Sequence, residues 1–329
     1  MQQYSNPVSI VIPAYNEEAS IAEEIKKINN VMHEKKIKYE IIVVDDSSKD
    51  KTAMEAQNAG ARVFHHLTNR GYGASLKTGI HEAKYEIILI TDADGTYPSS
   101  SIPEILNLLE NADMVIGQRT GKNAKVPLIR KPAKWFLRKL AQFITRKKIP
   151  DLNSGLRAFR KSFVNQYSTI LSDRFSFTTT LTVAALSDDY KITYLPINYF
   201  KRRGKSKIVP WDFFTFIALV VRLSMFFNPL KVFIPLFNIF MFTGILKIVF
   251  DIIIAADKAK KTGAFFFSQQ VISGTTLILF LGGLIILLIG MMSDALSRRI
   301  AQGKTINYKT HWKGYIQKIT ENKPIEKEK

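Results

Sequence analysis

Apolar runs of strand length alternate with mixed, charged segments before about residue 210, and several of those runs end on a cluster of polar residues. VSIVIPAY at 8–15 reads as a buried first strand closed by Pro13, EIIVV at 40–44 as a second, and Arg62–His66 as a short third. Asn16 is expected to cap a helix that opens with Glu17 and Glu18 and carries Ile21, Ile25 and Ile28 on one face. A further helix is expected from about Lys51, and a late strand at Ile192–Leu195. Strand alternating with helix predicts an α/β, doubly wound, Rossmann-like and mostly parallel sheet. Such sheets bind ligands outside the carboxyl ends of their strands.

The run at 87–98, IILITDADGTYP, carries four apolar residues straight into Asp92 and Asp94 before Gly95 and Pro98 turn the chain. Two carboxylates one residue apart at a strand end suit a divalent cation bridging to a diphosphate. A plain Asx-capped turn explains the same tetrapeptide equally well. Two other strand ends offer polar groups to the same crevice: Ala14, Tyr15 and Glu17, and Asp45 and Asp46. An aromatic beside acids suits a base and a ribose. The glycines of NRGYGASLKTG at 69–79 are not spaced as a dinucleotide fingerprint, and close packing of a helix on the sheet is the expected role.

Beyond residue 210 the pattern changes. No charged residue occurs from Thr262 to Ser293, and LILFLGGLIILLIGMM is long enough to span a bilayer. VFIPLFNIFMFTGILKIVFDIII at 232–254 is a second span, with Lys247 and Asp251 four apart and able to pair on one helix face. Trp211–Phe227 reads as an interfacial helix, a third span remaining an alternative. Lys and Arg crowd 201–231 and the tail after 297, more than the connection near Lys258, Lys260 and Lys261, so both ends are expected on the cytoplasmic side of the cell membrane.

Lys plus Arg number 47 against 28 acids, a net charge of +19, so an anionic partner is expected. The absence of Cys excludes disulfides, thiolate metal sites and a Cys nucleophile, and five scattered His make a zinc site improbable. The polar N-terminus, which reaches the first strand early, does not read as a secretory signal.

The ordered motifs VSIVIPAYNEE, EIIVVDDSSKDKT, NRGYGASLKTGI, ILITDADGTYP, GQR and DLNSGLRAFR together resemble family 2 glycosyltransferases of the GT-A fold, within them the dolichol- and undecaprenyl-phosphate mannosyl- and glucosyltransferases. The resemblance covers roughly 8–208, and two membrane helices behind the catalytic domain also occur in that group. It implies a nucleotide pocket at Pro13, Ala14, Tyr15, Glu17, Asp45 and Asp46. It also implies a nucleotide-diphosphate and Mg²⁺ or Mn²⁺ site at Asp92, Ala93 and Asp94. The mannosyl type often has Gln as a further ligand two residues after the second Asp; here that position is Thr96. The turn Asn153, Ser154, Gly155 resembles the one that closes the sugar pocket, although turn capping explains Asn153 as well. Residues 199–208 resemble an Arg-x-Gly-x-Ser-Lys element whose Arg203, Lys205, Ser206 and Lys207 would close over the donor diphosphate; juxtamembrane attraction to headgroups is compatible with that.

Met114–Pro150 has no acidic residue and many Lys and Arg interleaved with Trp135, Phe136 and Phe143, a basic amphipathic segment suited to anionic lipid. Arg119, Arg130 and Lys134 are its candidates for an acceptor phosphate. The expected organisation is a cytosolic GT-A domain at 1–208, an interfacial helix at 209–230, two transmembrane helices at 231–295 and a basic cytoplasmic tail at 296–329. The expected partners are a nucleotide sugar, polyprenyl phosphate and membrane, not nucleic acid; a homo-oligomer remains open. The expected reaction moves one sugar from UDP-glucose or GDP-mannose to the lipid phosphate with inversion, Asp94, Asp92 and Arg119 at its centre. The alternatives are a glycolipid synthase using a lipid hydroxyl with Asp151 as base, a processive synthase, whose Gln-x-x-Arg-Trp element is absent, and a non-catalytic membrane accessory protein.

Overall fold

The computed structural model describes residues 4–120, 131–173, 176–200, 221, 225, 228–263, 271–302 and 316–318. The chain divides into two units, Met1–Val220 with Asn307–Lys329, and Val221–Ile306.

In the first unit, β1 (Val8–Ala14), β2 (Tyr39–Asp45), β3 (Arg62–His66) and β4 (Ile87–Ile90) alternate with α1 (Ile21–Glu34), α2 (Thr52–Asn58) and α3 (Tyr72–Glu82). They continue through α4 (Ile102–Leu109), β5 (Met114–Thr120), α5 (Lys131–Thr145), β6 (Arg157–Arg160), α6 (Lys161–Asn165), α7 (Phe177–Ser187) and β7 (Ile192–Asn198). One sheet joins the strands in the order β7-β5-β6-β4-β1-β2-β3-β8, where β8 is Ile316–Lys318. β1 lies parallel to β2 and β4, and β5 to β7, while β6 runs antiparallel between β4 and β5. Within the segment expected to be a basic cytoplasmic tail, residues 316–318 pair antiparallel with β3.

Every residue of β1 is buried, as expected of a strand covered on both faces. Pro13 is tolerated there because of register. Asp46 donates its backbone N–H to Ala14 O, so alternation turns the nitrogen of Pro13 toward β4, and β1–β4 pairing has already ended at Val11–Ile90. The missing donor breaks no ladder bond.

α1 begins at Ile21, after Ser20, rather than at Asn16. Asn16 takes a left-handed φ of 53°, and its side-chain oxygen accepts the Lys49 N–H at 2.9 Å while its own N–H donates to Ser48 Oγ at 2.8 Å. Its amide therefore ties the β1–α1 loop to the β2–α2 loop instead of capping the helix. Ile21, Ile25, Ile28 and Met32 face the core.

Gly79 lets α3 lie against the sheet, as its sequence setting suggested. A Cβ at Gly79 would stand 2.3 Å from Val11 Cγ1 and 3.2 Å from Val44 Cγ2. Gly79→Ala is expected to destabilise the first unit by about 1–3 kcal/mol through overpacking, read as a lower midpoint in thermal denaturation.

The second unit is a hairpin of α8 (Leu230–Thr262) and α9 (Gly274–Gln302). α8 runs well past residue 254, and α9 past 295. Both helices are long and apolar enough to cross a membrane, and side chains such as Phe242, Ile278 and Met292 are more than 60% exposed, which suits contact with lipid. Glycines receive aromatic rings across the pair: Gly290 faces Phe233, Gly282 faces Phe240 and Gly244 faces Phe280. Asp251 pairs with Lys247 and accepts the Ser273 N–H at 3.0 Å, Ser273 Oγ at 2.7 Å and Thr276 Oγ1 at 2.6 Å. The carboxylate of α8 thereby satisfies donors at the start of α9.

Candidate active site

The carboxyl ends of four strands, β1, β2, β4 and β5, and the turn before β6 lie at one end of the sheet. β2 delivers Asp45 and Asp46, and the parallel register sets Asp45 beside His65 of β3. His65 Nδ1 lies 2.6 Å from Asp45 Oδ2, and Ser48 donates to Asp45 Oδ1 through its hydroxyl and, at 3.3 Å, its N–H. The Asp45 hydrogen bond raises the pKa of His65, against the effect of burial. Asp46 is fixed by His66 Nδ1 at 2.7 Å and by the N–H groups of Arg70 and Gly71 at 2.9 and 2.7 Å. Burial alone would push its carboxyl up, but these donors hold it below the usual range. His66 is wholly buried and reaches Thr78 Oγ1 with Nε2 at 2.9 Å. Pro13, Ala14 and the partly exposed Tyr15 and Glu17 stand at the end of β1 beside them. Glu17 N–H donates to Thr52 Oγ1 at 2.8 Å.

β4 delivers the second acidic cluster. Tyr72 donates its hydroxyl to Asp92 Oδ1 at 2.9 Å, and a Cβ at Gly155 would lie 2.7 Å from Asp92 Oδ2. Ala93 and Asp94 are buried. Thr96, also buried, donates to Asp94 Oδ1 through its hydroxyl at 2.6 Å and its N–H at 3.2 Å. The hydroxyl expected among the metal ligands thus spends its proton on orienting Asp94. Among the described residues no three His, Cys, Asp or Glu cluster as a metal site. Asp92 and Asp94 are nevertheless hard oxygen donors one residue apart, the chemistry Mg²⁺ or Mn²⁺ accepts when substrate phosphates complete the shell.

Glu24 of α1 lies beneath this loop with only 2% of its surface exposed, accepting from Ser99 Oγ at 3.3 Å. Burial raises its pKa to about 7, while Lys27 and Ser99 pull the other way. The folded value exceeds the unfolded one, so this group is neutral in its effect below about pH 4.5 and costs stability as pH rises toward 7. Glu24→Gln is therefore expected to stabilise the nucleotide- and metal-free protein at pH 8 by on the order of 2–3 kcal/mol and not at pH 4, checked by thermal denaturation at both.

β5 and the 151–155 turn form the third side. Arg119 grips Asp151 with Nε and Nη2, each at 2.7 Å, and its N–H adds a bond at 3.2 Å. Burial would raise the Asp151 pKa, but the Arg119 guanidinium holds it below the usual carboxylate range. The guanidinium also lies 5.5 Å from the Tyr199 ring centroid, and Tyr199 packs edge-on against Tyr97 at 5.4 Å. Tyr97 accepts the Gly155 N–H at 2.6 Å. Asn153 accepts from Thr179 Oγ1 at 2.8 Å, and Ser154 is buried with its carbonyl on the wholly buried Arg157. Arg157 also donates to Thr178 O at 3.1 Å and Thr182 Oγ1 at 3.0 Å, fastening the turn to α7.

Of the remaining candidates, Arg130 and the cluster Arg203, Lys205, Ser206 and Lys207 lie outside the described residues, as does most of the segment expected to be an interfacial helix. Lys134 lies in α5, whose described outer side chains include the exposed Trp135 and Phe143. Sequence reasoning passed over Glu24, His65, His66, Tyr72, Tyr97, Arg157 and Tyr199. Glu24 alone left a local sign, a carboxylate three residues after Ile21 on the apolar stripe of α1.

A model described as Glycosyl transferase family 2 matches residues 9–168, and one described as GtrB C-terminal hairpin matches 228–298. An uncharacterized protein of Methanocaldococcus jannaschii is 34% identical over 199 residues, 58% of this chain and 80% of that protein. The chain belongs to glycosyl transferase family 2. Another family relative, the dolichyl-phosphate hexose transferase of Haloferax volcanii, is 27% identical over 214 residues, 64% of this chain and 91% of that one. The undecaprenyl-phosphate mannosyltransferase of Micrococcus luteus is 27% identical over 215 residues, 61% of this chain and 87% of that one. Glucosyl-3-phosphoglycerate synthase from Mycobacterium tuberculosis, solved with Mn²⁺, uridine diphosphate and phosphoglyceric acid, superposes with a TM-score of 0.54 at 20% identity, covering 67% of this chain and 78% of that chain. The family's GT-A fold is thus present, followed by two apolar helices.

Proposed function

We propose that this glycosyltransferase moves one sugar from a nucleotide-diphosphate sugar, UDP-glucose or GDP-mannose, onto polyprenyl phosphate at the cytoplasmic face of the membrane, inverting the anomeric centre. The observation that carries the reading is the presence on one chain of the Asp92–Asp94 strand end and an apolar two-helix hairpin. The printed activities of the Haloferax and Micrococcus relatives support a lipid-phosphate acceptor. The excess of Lys and Arg at the flanks of the hairpin supports the orientation.

Asp45, Tyr15 and Glu17 face the nucleotide, and Asp46 fixes the neighbouring loop. Asp94, oriented by Thr96, holds Mg²⁺ or Mn²⁺ together with Asp92. When bound, such an ion offsets the charge of the departing diphosphate. Arg203, Lys205, Ser206 and Lys207 close over that diphosphate, and Asn153, Ser154 and Gly155 border the sugar. Arg119 aligns the acceptor phosphate with Arg130 and Lys134. A phosphate monoester has a second pKa near about 6 and is already a competent nucleophile, so the site needs no base. The state of Asp151 agrees: paired twice with Arg119 and held acidic, it is poorly suited to deprotonate a lipid hydroxyl.

The test incubates detergent-solubilised protein and Mn²⁺ with polyprenyl phosphate and, separately, UDP-glucose, GDP-mannose or UDP-N-acetylglucosamine. Nucleotide-diphosphate release that requires the lipid phosphate with one donor is expected. Release supported by diacylglycerol instead would move the acceptor, and silence with every acceptor would favour an accessory role.

A further inference from the structure

The 69–72 loop does more than begin a closely packed helix. Its backbone N–H groups at Arg70 and Gly71 hold both oxygens of Asp46, and one residue on, the Tyr72 hydroxyl holds Asp92 Oδ1 at 2.9 Å. Asp46 follows β2 and Asp92 follows β4, with β1 between those strands in the sheet. Gly71 makes the short span feasible at a φ of 103°. The loop therefore braces the two acidic strand ends against each other. From the other side Gly155 approaches Asp92 so closely that a Cβ there would lie within 2.7–2.9 Å of the carboxylate. The Asp92 carboxylate is held between a phenol O–H and bare backbone.

We propose that Tyr72 is a positioning residue of the donor site, its hydroxyl setting the rotation of the Asp92 carboxylate with which a divalent cation and the donor diphosphate engage. This rests on the donor-site reading above. A carboxylate already held in one orientation gives up less freedom when it binds, so the hydroxyl contributes to affinity without touching the donor.

The experiment uses purified full-length protein in detergent and follows UDP and GDP binding by calorimetry across a Mn²⁺ titration. Tyr72→Phe keeps the ring and is expected to raise the half-saturating Mn²⁺ concentration about tenfold, with the thermal midpoint within about 2 °C of wild type. Ser75→Ala, which removes the Ser75 Oγ bond to Gly71 O in the same helix, is expected to lower the midpoint while leaving the Mn²⁺ dependence in place. A Tyr72→Phe titration that superposes on wild type overturns the proposal. So does a Ser75→Ala shift as large as that of Tyr72→Phe, because helix packing would then account for both. If wild type binds neither nucleotide with Mn²⁺, the donor-site reading fails and takes the proposal with it.

Discussion

Asp94→Asn is expected to lower kcat on the order of a thousandfold while keeping the fold. The isosteric amide separates the two things this residue does. Asp94 Oδ1 accepts the Thr96 hydroxyl and N–H, and an amide oxygen accepts the same pair, so the buried turn keeps its bonds. What the variant loses is the negative charge that, in the proposed reaction, holds the divalent ion against the donor diphosphate. Asp94→Ala should lose that charge and also leave the buried Thr96 donors without their acceptor, at an added cost of about 1–3 kcal/mol in stability. Steady-state turnover beside thermal denaturation of both variants checks this. Turnover of Asp94→Asn within tenfold of wild type would remove Asp94 from the reaction.

The elements that positioned Asp94 were legible because parallel strands buried on both faces write themselves as unbroken apolar runs, and 8–15, 40–44 and 87–90 each end on polar groups. What local pattern could not carry was pairing across sequence distance. His65 meets Asp45 only because β2 and β3 are in parallel register, and nothing in the string RVFHH announces it. β6 is four residues with a buried Arg at its head, too short and too polar to read as an inner strand between β4 and β5. Asn16 has the composition of a cap, but its amide found a backbone partner across the neighbouring loop. The GT-A fold followed from resemblance as well as from pattern, and the side-chain geometry from neither. Arg119 illustrates this most sharply. The sequence presents it as one cation in a basic stretch without acids, whereas the fold gives it a carboxylate 32 positions on.

Asp151→Ala is expected to destabilise the first unit by about 3 kcal/mol, and restoring stability is not expected to restore turnover. The Arg119 and Asp151 side chains are only 21% and 11% exposed, and two hydrogen bonds of 2.7 Å join them. Removing one partner strands the other charge in a poorly solvated place, which costs far more than the intact pair contributes over an apolar replacement. At about 2–4 °C per kcal/mol, the thermal midpoint should fall by roughly 6–12 °C. The double variant Arg119→Met, Asp151→Leu should recover most of that fall yet remain inactive if Arg119 aligns the acceptor phosphate. Asp151→Asn, which keeps an oxygen acceptor for Arg119, should retain part of the activity and raise KM for the polyprenyl phosphate more than it lowers kcat. A catalytic base at this position predicts the reverse, a collapse of kcat in Asp151→Asn with KM unchanged. The pH dependence has a fixed sign too. The folded carboxyl is more acidic than the unfolded one, so the pair's stabilisation is complete above the ordinary Asp value of 3.8 and is lost as pH falls toward the depressed value. Between wild type and Asp151→Ala, the gap in thermal midpoint should therefore hold from neutral pH down to about 4 and narrow only in stronger acid.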